Sequence, residues 1–258
     1  MIRIIAERLA IATLLIGLVG GSNAYGEDSV QERLSSDRLG RIETGTYLAG
    51  DKIGFQLDAA GDGYLLRFDD SREVFVLHAD NASMGGRVLK YDSGETALQV
   101  SGWGGITLYT DADPAGLPAV RTGDSVTPMP AATSIADVQN AAQDDAQHLA
   151  FVRRLNLAFG ADWSSLAADA ASRALALEAL ENVTRGLDRF GRSAQGHDAL
   201  AHRVNTVMLA IAGRPTVTLE GKKLMVTFDP GSGYEGCASS RAISRALVTL
   251  LAARQKQN

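Results

Sequence analysis

Cysteine is almost absent from this 258-residue chain: Cys237 stands alone, so no intrachain disulfide can form. Small exported domains use disulfides when their cores are too small, so a stable fold here must rest on burial alone. Basic residues are not in excess either. The 25 Lys and Arg are outnumbered by 30 Asp and Glu, for a formal charge of −5. Nucleic-acid binders neutralise phosphates with a basic face, and a basic patch is equally needed to hold anionic lipid. Neither footprint is present. Beyond the first two dozen residues no apolar run reaches the roughly 20 residues that cross a bilayer. The mature chain is therefore expected to be soluble, without nucleic acid and without stable membrane insertion.

Several chemical signatures are also missing. There is no G-x-S-x-G elbow, no internal repeat and no metal-ligand spacing. His197 and His202 are five residues apart, about 140° around a helix of 3.6-residue period, and cannot share a metal from one face. The segment Asp111 to Gly116 matches three positions of a calcium loop but has Thr122 where the bidentate glutamate belongs. It reads as a turn. No cofactor is expected.

What is present begins with a leader. Arg3 and Arg8 precede an apolar run from Leu9 to Val19, and Ser22 and Ala24 occupy the small positions before a cleavage site. Residues 1–24 read as a signal peptide, which predicts a periplasmic or secreted protein starting near Tyr25. Losing Arg3, Arg8 and Glu7 moves the formal charge from −5 to −6. About 230 residues remain, enough for one large core or two ordinary ones.

The mature chain divides by hydrophobic period. Residues 40–122 carry short alternating runs, among them Ile53 to Leu57, Tyr64 to Phe68, Glu73 to Leu77 and Val88 to Tyr91, separated by Gly- and Asp-rich turns. This is the pattern of an antiparallel β meander or small barrel. Residues 123–135, with Pro128 and Pro130, read as a linker. In 136–258 the period becomes helical. One stripe runs from Val138 to Phe159, a second from Leu177 to Phe190, and a third from Leu200 through Val204, Val207 and Met208 to Ile211. A β-hairpin at 215–228 and a last helix starting near Ser239 or Ser240 complete a helical bundle. The predicted fold class is α+β.

Four segments of the first half carry a family resemblance. They are Leu65-Leu66-Arg67-Phe68, Ser71-Arg72-Glu73-Val74-Phe75-Val76-Leu77, Tyr91-Asp92-Ser93-Gly94-Glu95 and the run Trp103 to Tyr109. Together with Gly233-Tyr234-Glu235-Gly236 and the Ser/Arg-containing helix start behind it, they resemble an exported bacterial family, domain of unknown function 4908. The resemblance implies export of alphaproteobacterial type and no assigned activity, so it transfers no functional residues.

Three features compete as candidate chemistry. Gly231-Ser232-Gly233-Tyr234-Glu235-Gly236 is a literal G-x-G-x-x-G between a predicted strand and a helix. A dinucleotide site needs a further parallel strand and an acidic residue about 20 positions on, and the chain ends first. A turn-rich connection is the reading preferred. Cys237 precedes a helix, where a thiolate is stabilised, and would serve a cysteine hydrolase or transpeptidase-like enzyme. A transpeptidase-like Gly-Cys pair has a histidine before it and an arginine two residues after, and here Glu235 and Ser239 stand there. A small semi-buried side chain is the expectation. Trp103, framed by Gly102, Gly104 and Gly105, is expected to fill the sheet core; exposed, it would anchor a partner or stack on a sugar. The resulting expectation is a non-enzymatic binding or envelope-associated protein, its partner an unidentified envelope component or small ligand. The alternative is a periplasmic enzyme using Cys237.

Overall fold

The computed structural model describes residues 42–252; the predicted leader at 1–24 lies outside them. Eight strands form a closed antiparallel barrel: β1 (Gly45–Ala49), β2 (Ile53–Ala60), β3 (Gly63–Phe68), β4 (Val74–Asn81), β5 (Arg87–Tyr91), β6 (Thr96–Val100), β7 (Ile106–Leu108) and β8 (Leu117–Gly123). Each strand pairs with the next, and β8 closes on β1, with Leu48 opposite Val120. Alternate residues point inward. Phe55 and Leu57, Phe75 and Leu77, Leu89 and Tyr91, and Leu98 and Val100 are buried in this way. The interior is filled, with an aromatic ladder running Tyr47, Phe55, Phe68, Phe75, Tyr91 at centroid spacings of 5.1 to 6.4 Å.

On β4 the run Val74 to Leu77 is buried at every position. Val74 and Val76 face outward with Leu65 and pack with Tyr234, so this side of the barrel is a second contact surface.

The connection to the second half is held in place. The Ser125 hydroxyl donates to the buried Asp58 carboxylate at 2.5 Å, and Thr127 reaches the same oxygen at 3.5 Å. Helix α1 (Ile135–Arg153) then starts with a capping box between Ser134 and Asp137. It stops where Arg154 turns left-handed at φ 55°, short of the predicted Phe159. That residue lies on strand β9 (Ala158–Ala161). Two helices capped by aspartates follow, α2 (Trp163–Ala168) on Asp162 and α3 (Ala170–Phe190) on Asp169, and then α4 (Ala194–Arg203) on Ser193.

The third predicted helical stripe breaks in two. Leu200 is on α4, but Val207, Met208 and Ile211 belong to strand β10 (Thr206–Ile211). The predicted hairpin is present as β11 (Thr216–Glu220) and β12 (Lys223–Phe228). It does not join the barrel. Instead β12 pairs in parallel with β10, and β10 in parallel with β9, giving a four-stranded sheet in the order β11-β12-β10-β9. A 3-10 segment, Pro230–Gly236, leads to the last helix, α5 (Ser240–Ala252). The mixed α+β architecture thus comprises a barrel, helices with a small sheet carrying the hairpin, and a C-terminal helix.

Gly186, buried in the middle of α3, sets the approach of α3 to α5. A Cβ there would meet the Ile243 side chain at 2.7 Å and the Ser240 carbonyl oxygen at 3.1 Å. Glycine within a helix costs about 1 kcal/mol relative to alanine, and here it lets two helices pack at backbone distance.

Candidate functional site

Antiparallel topology puts alternate loops at opposite ends of the barrel. The loops after β3, β5 and β7 share one end, and α5 begins there. Ser239 and Ser240, both buried, meet two carboxylates of the barrel, that of the buried Glu73 and that of Asp92 on the turn after β5. The Ser240 backbone N–H donates to Glu73 Oε1 at 2.7 Å and its hydroxyl to Oε2 at 2.8 Å. The Ser239 N–H donates to Asp92 Oδ2 at 2.8 Å, and its hydroxyl to Asp92 Oδ1. The Ser239 hydroxyl also accepts the Ala242 N–H, as a helix N-cap does. Two acids of the barrel therefore satisfy donors at the start of α5, where a helix end favours negative charge. Burial nevertheless pushes both acids above their usual range, against the Ser240 and Ser239 bonds that pull them down.

Arg241 completes the junction. Its guanidinium lies 4.4 Å from the centroid of the Tyr91 ring, the last rung of the aromatic ladder. It also pairs with Glu95 at 2.7 Å and Asp111 at 2.8 Å. Asp111 takes a second ion pair from Arg189 of α3. Burial raises Asp111, but Arg241 and Arg189 outweigh it and hold the carboxyl low. The Tyr91 phenol is pushed up to about 12 by burial.

Beside this junction is a cleft of about 410 Å³. The barrel supplies Phe68 and Glu73 to its wall, α1 supplies His148, and α3 and α5 supply a group of arginines. Arg185 and Arg189 are on α3, Arg192 just follows it, and Arg241 stands on α5. These cations come from different parts of the chain, and the Arg185, Arg189, Arg192 spacing of four and three residues puts them on one side of a helix. In sequence such a stripe reads as a solvated face; only the fold turns it toward the barrel.

The residues singled out by sequence fall elsewhere. Cys237 is 8 % exposed, and burial, with Glu178 nearby, pushes its thiol up to about 12. Its Sγ donates weakly to the Leu175 carbonyl at 3.6 Å. His202 Nδ1 is instead 2.8 Å from the Asp198 carbonyl, within its own helix, and His78 is on the barrel wall.

The G-x-G-x-x-G glycines serve the backbone. A Cβ on Gly236 would lie 1.9 Å from the Asp229 carbonyl oxygen, and Gly233 has a φ of 56° with ψ of −137°. The helix terminus where a phosphate would sit in a dinucleotide site is occupied by Glu73 and Asp92. Among the described residues no cluster of three His, Cys, Asp or Glu side chains is arranged to hold a metal.

Trp103 departs from expectation. It is 83 % exposed rather than filling the sheet core, on the β6–β7 loop at the barrel end opposite α5. The neighbouring β4–β5 loop carries Met84, 92 % exposed. The two loops touch through their backbones: a Cβ on Gly102 would meet the Met84 carbonyl oxygen at 2.4 Å. Glycine is required at that contact, and the indole it flanks projects outward.

The sequence matches the family described as Domain of unknown function (DUF4908) over residues 29–247. The chain belongs to that family. Two of the segments that carried the resemblance meet at the helix start: Glu73, Tyr91, Asp92 and Glu95 all contact Ser239, Ser240 or Arg241. Comparison with curated proteins and with solved structures gave no match. Among the described residues no helix is long and apolar enough to cross a membrane.

Proposed function

We propose that this family member is an exported, non-catalytic binding protein of the cell envelope, with the cleft between barrel and helices as its ligand site. The observation that carries the reading is the character of that cleft. Its polar groups are guanidinium groups, hydroxyls, carboxylates and one exposed imidazole, and the hydroxyl that is held by a carboxylate, Ser240 on Glu73, is 1 % exposed and closes the start of α5. Acyl-transfer chemistry needs a nucleophile and base that a substrate can reach. The only thiol in the chain is buried beneath α3, and its raised pKa keeps it protonated at neutral pH. Export rests on the order of charged, apolar and small residues in the first 24 positions.

Thiol alkylation of the native protein tests the reading against the cysteine-enzyme alternative. Cys237 is expected to label far more slowly than a free thiol at pH 7, and to label freely once urea unfolds the chain. Cys237→Ser is expected to leave fold and ligand binding unchanged. Labelling within seconds in the native state would replace the binding reading with the enzymatic one.

A further inference from the structure

Resting on that reading of the cleft, we infer that it takes a small multivalent oxyanion, a ligand with two or more carboxylate or phosphate groups, gripped between the α3 arginines and Arg241. The donors are already in place. A guanidinium has five N–H donors in a planar fork suited to oxyanions. Arg189 uses one on Asp111 and Arg192 uses one on Asp188, while Arg185 uses two, on Glu181 and Asn182. Most of the donors at this wall therefore remain for a ligand.

On the facing side the Arg241 side chain is only 10 % exposed, and its Nε–H has no partner among the described residues. A buried donor without an acceptor is unusual in a folded protein. An oxyanion drawn into the cleft supplies acceptors to this face as well as to the α3 side.

The acids in the same wall do not cancel this preference. Each Glu73 oxygen already accepts a bond from Ser240, Asp188 is bridged by Arg153 at 2.6 Å and Arg192 at 3.2 Å, and Asp70, the remaining acid of the wall, is exposed to solvent. A row of guanidinium groups is also contrary to the chain as a whole, whose charge is −5. Arg185 and Arg189 lie one helical turn apart, about 6 Å along the axis, so two separate oxyanion groups can be gripped in succession. A single monovalent anion would use only one grip, which is why multivalency is part of the inference.

Isothermal titration of the folded mature chain at low ionic strength is the test, with citrate, inorganic pyrophosphate and acetate as probes. Saturable binding of citrate or pyrophosphate below millimolar concentration is expected, at least tenfold tighter than acetate and weakened by added salt. Citrate alone binding would assign a polycarboxylate ligand, and pyrophosphate alone a phosphorylated one. Arg192→Gln, at an exposed position, and Arg185→Gln should each weaken binding about tenfold, the loss of one charge-assisted contact. Arg121→Gln, a surface arginine paired with Asp124 on β8, should leave it unchanged. No saturable binding of either polyanion, or binding insensitive to both α3-side substitutions, overturns the inference. Slow alkylation of Cys237 alongside such a failure would leave the non-catalytic reading standing and remove only the ligand class.

Discussion

Glu73 is the residue at which replacement separates charge from hydrogen bonding most sharply. It is 3 % exposed and accepts two bonds from Ser240, itself 1 % exposed. Hydrogen bonds to a charged group contribute about 1.5–3 kcal/mol each, so the pair amounts to about 3–6 kcal/mol before desolvation is counted. Desolvation is large, because burial lifts the Glu73 pKa despite both bonds and the neighbouring Arg185 and Arg189. The site thus values the acceptor oxygens more than the charge. Glu73→Ala leaves two buried donors of Ser240 without acceptors, at about 1–3 kcal/mol each, and the adjoining cleft admits water that relieves part of this. A net loss of about 2–4 kcal/mol is expected. Glu73→Gln keeps one acceptor oxygen and removes the desolvated charge, so its cost should stay near 1 kcal/mol.

Urea unfolding followed by circular dichroism measures both, read as midpoint shifts at constant slope. A double-mutant cycle with Ser240→Ala should show at least about 1 kcal/mol of coupling. If Glu73→Gln is as damaging as Glu73→Ala, the charge itself holds the junction together and the reasoning fails. It fails equally if Glu73→Ala costs under 1 kcal/mol with a native spectrum.

Two further outcomes can be checked on the same apparatus. Burial raises Asp145 to about 6 from an ordinary 3.8, with Glu181 adding to it and Thr184 and Arg185 opposing. That corresponds to at most about 3 kcal/mol, or about 1–2 after screening by solvent at this partly buried position. Since the folded value lies above the unfolded one, this contribution is full below 3.8 and is lost as pH rises through about 6. Urea midpoints should therefore rise from pH 7.5 to pH 5, and Asp145→Asn should flatten the rise; an unchanged pH slope in the variant would refute the assignment. Met84 is a non-glycine residue at φ 55° and is 92 % exposed, so Met84→Gly should stabilise the protein by about 0.5–1 kcal/mol. A destabilised variant would mean that the thioether has packing that its exposure conceals.

The barrel was readable in the sequence where strands alternate cleanly, as in Ile53 to Leu57 and Val88 to Tyr91. Its closing strands were not. β1 is five residues long, and β8 contains Pro118 and has no fully buried residue, so neither carries a strong period-two signal. The helix-to-strand switch at Val204 escaped because Leu200, Val204, Val207 and Ile211 fit a helical period as well as they fit a short strand. What settles β10 as a strand is its parallel pairing with β9 and β12, residues far off in the chain. The cleft was hidden for the same reason. Arg185, Arg189 and Arg192 acquire meaning only opposite Arg241 and Asp111, and the turn at Asp111 has no local mark of an ion-pair partner.

The seating of α5 on barrel acids ties a helix at Ser240–Ala252 to strands laid down far earlier in the chain. The barrel assembles from neighbouring strands and is complete in sequence by Gly123, yet Glu73 and Asp92 must wait for residues made more than a hundred positions later. A nascent or truncated chain that stops before Ser239 lacks the serine N–H and hydroxyl donors that Glu73 and Asp92 accept. Arrival of the last helix supplies those donors and covers Tyr91 at the same moment. Synthesis from the amino end therefore leaves the barrel's mouth unfinished until Ser239 and Ser240 have been made.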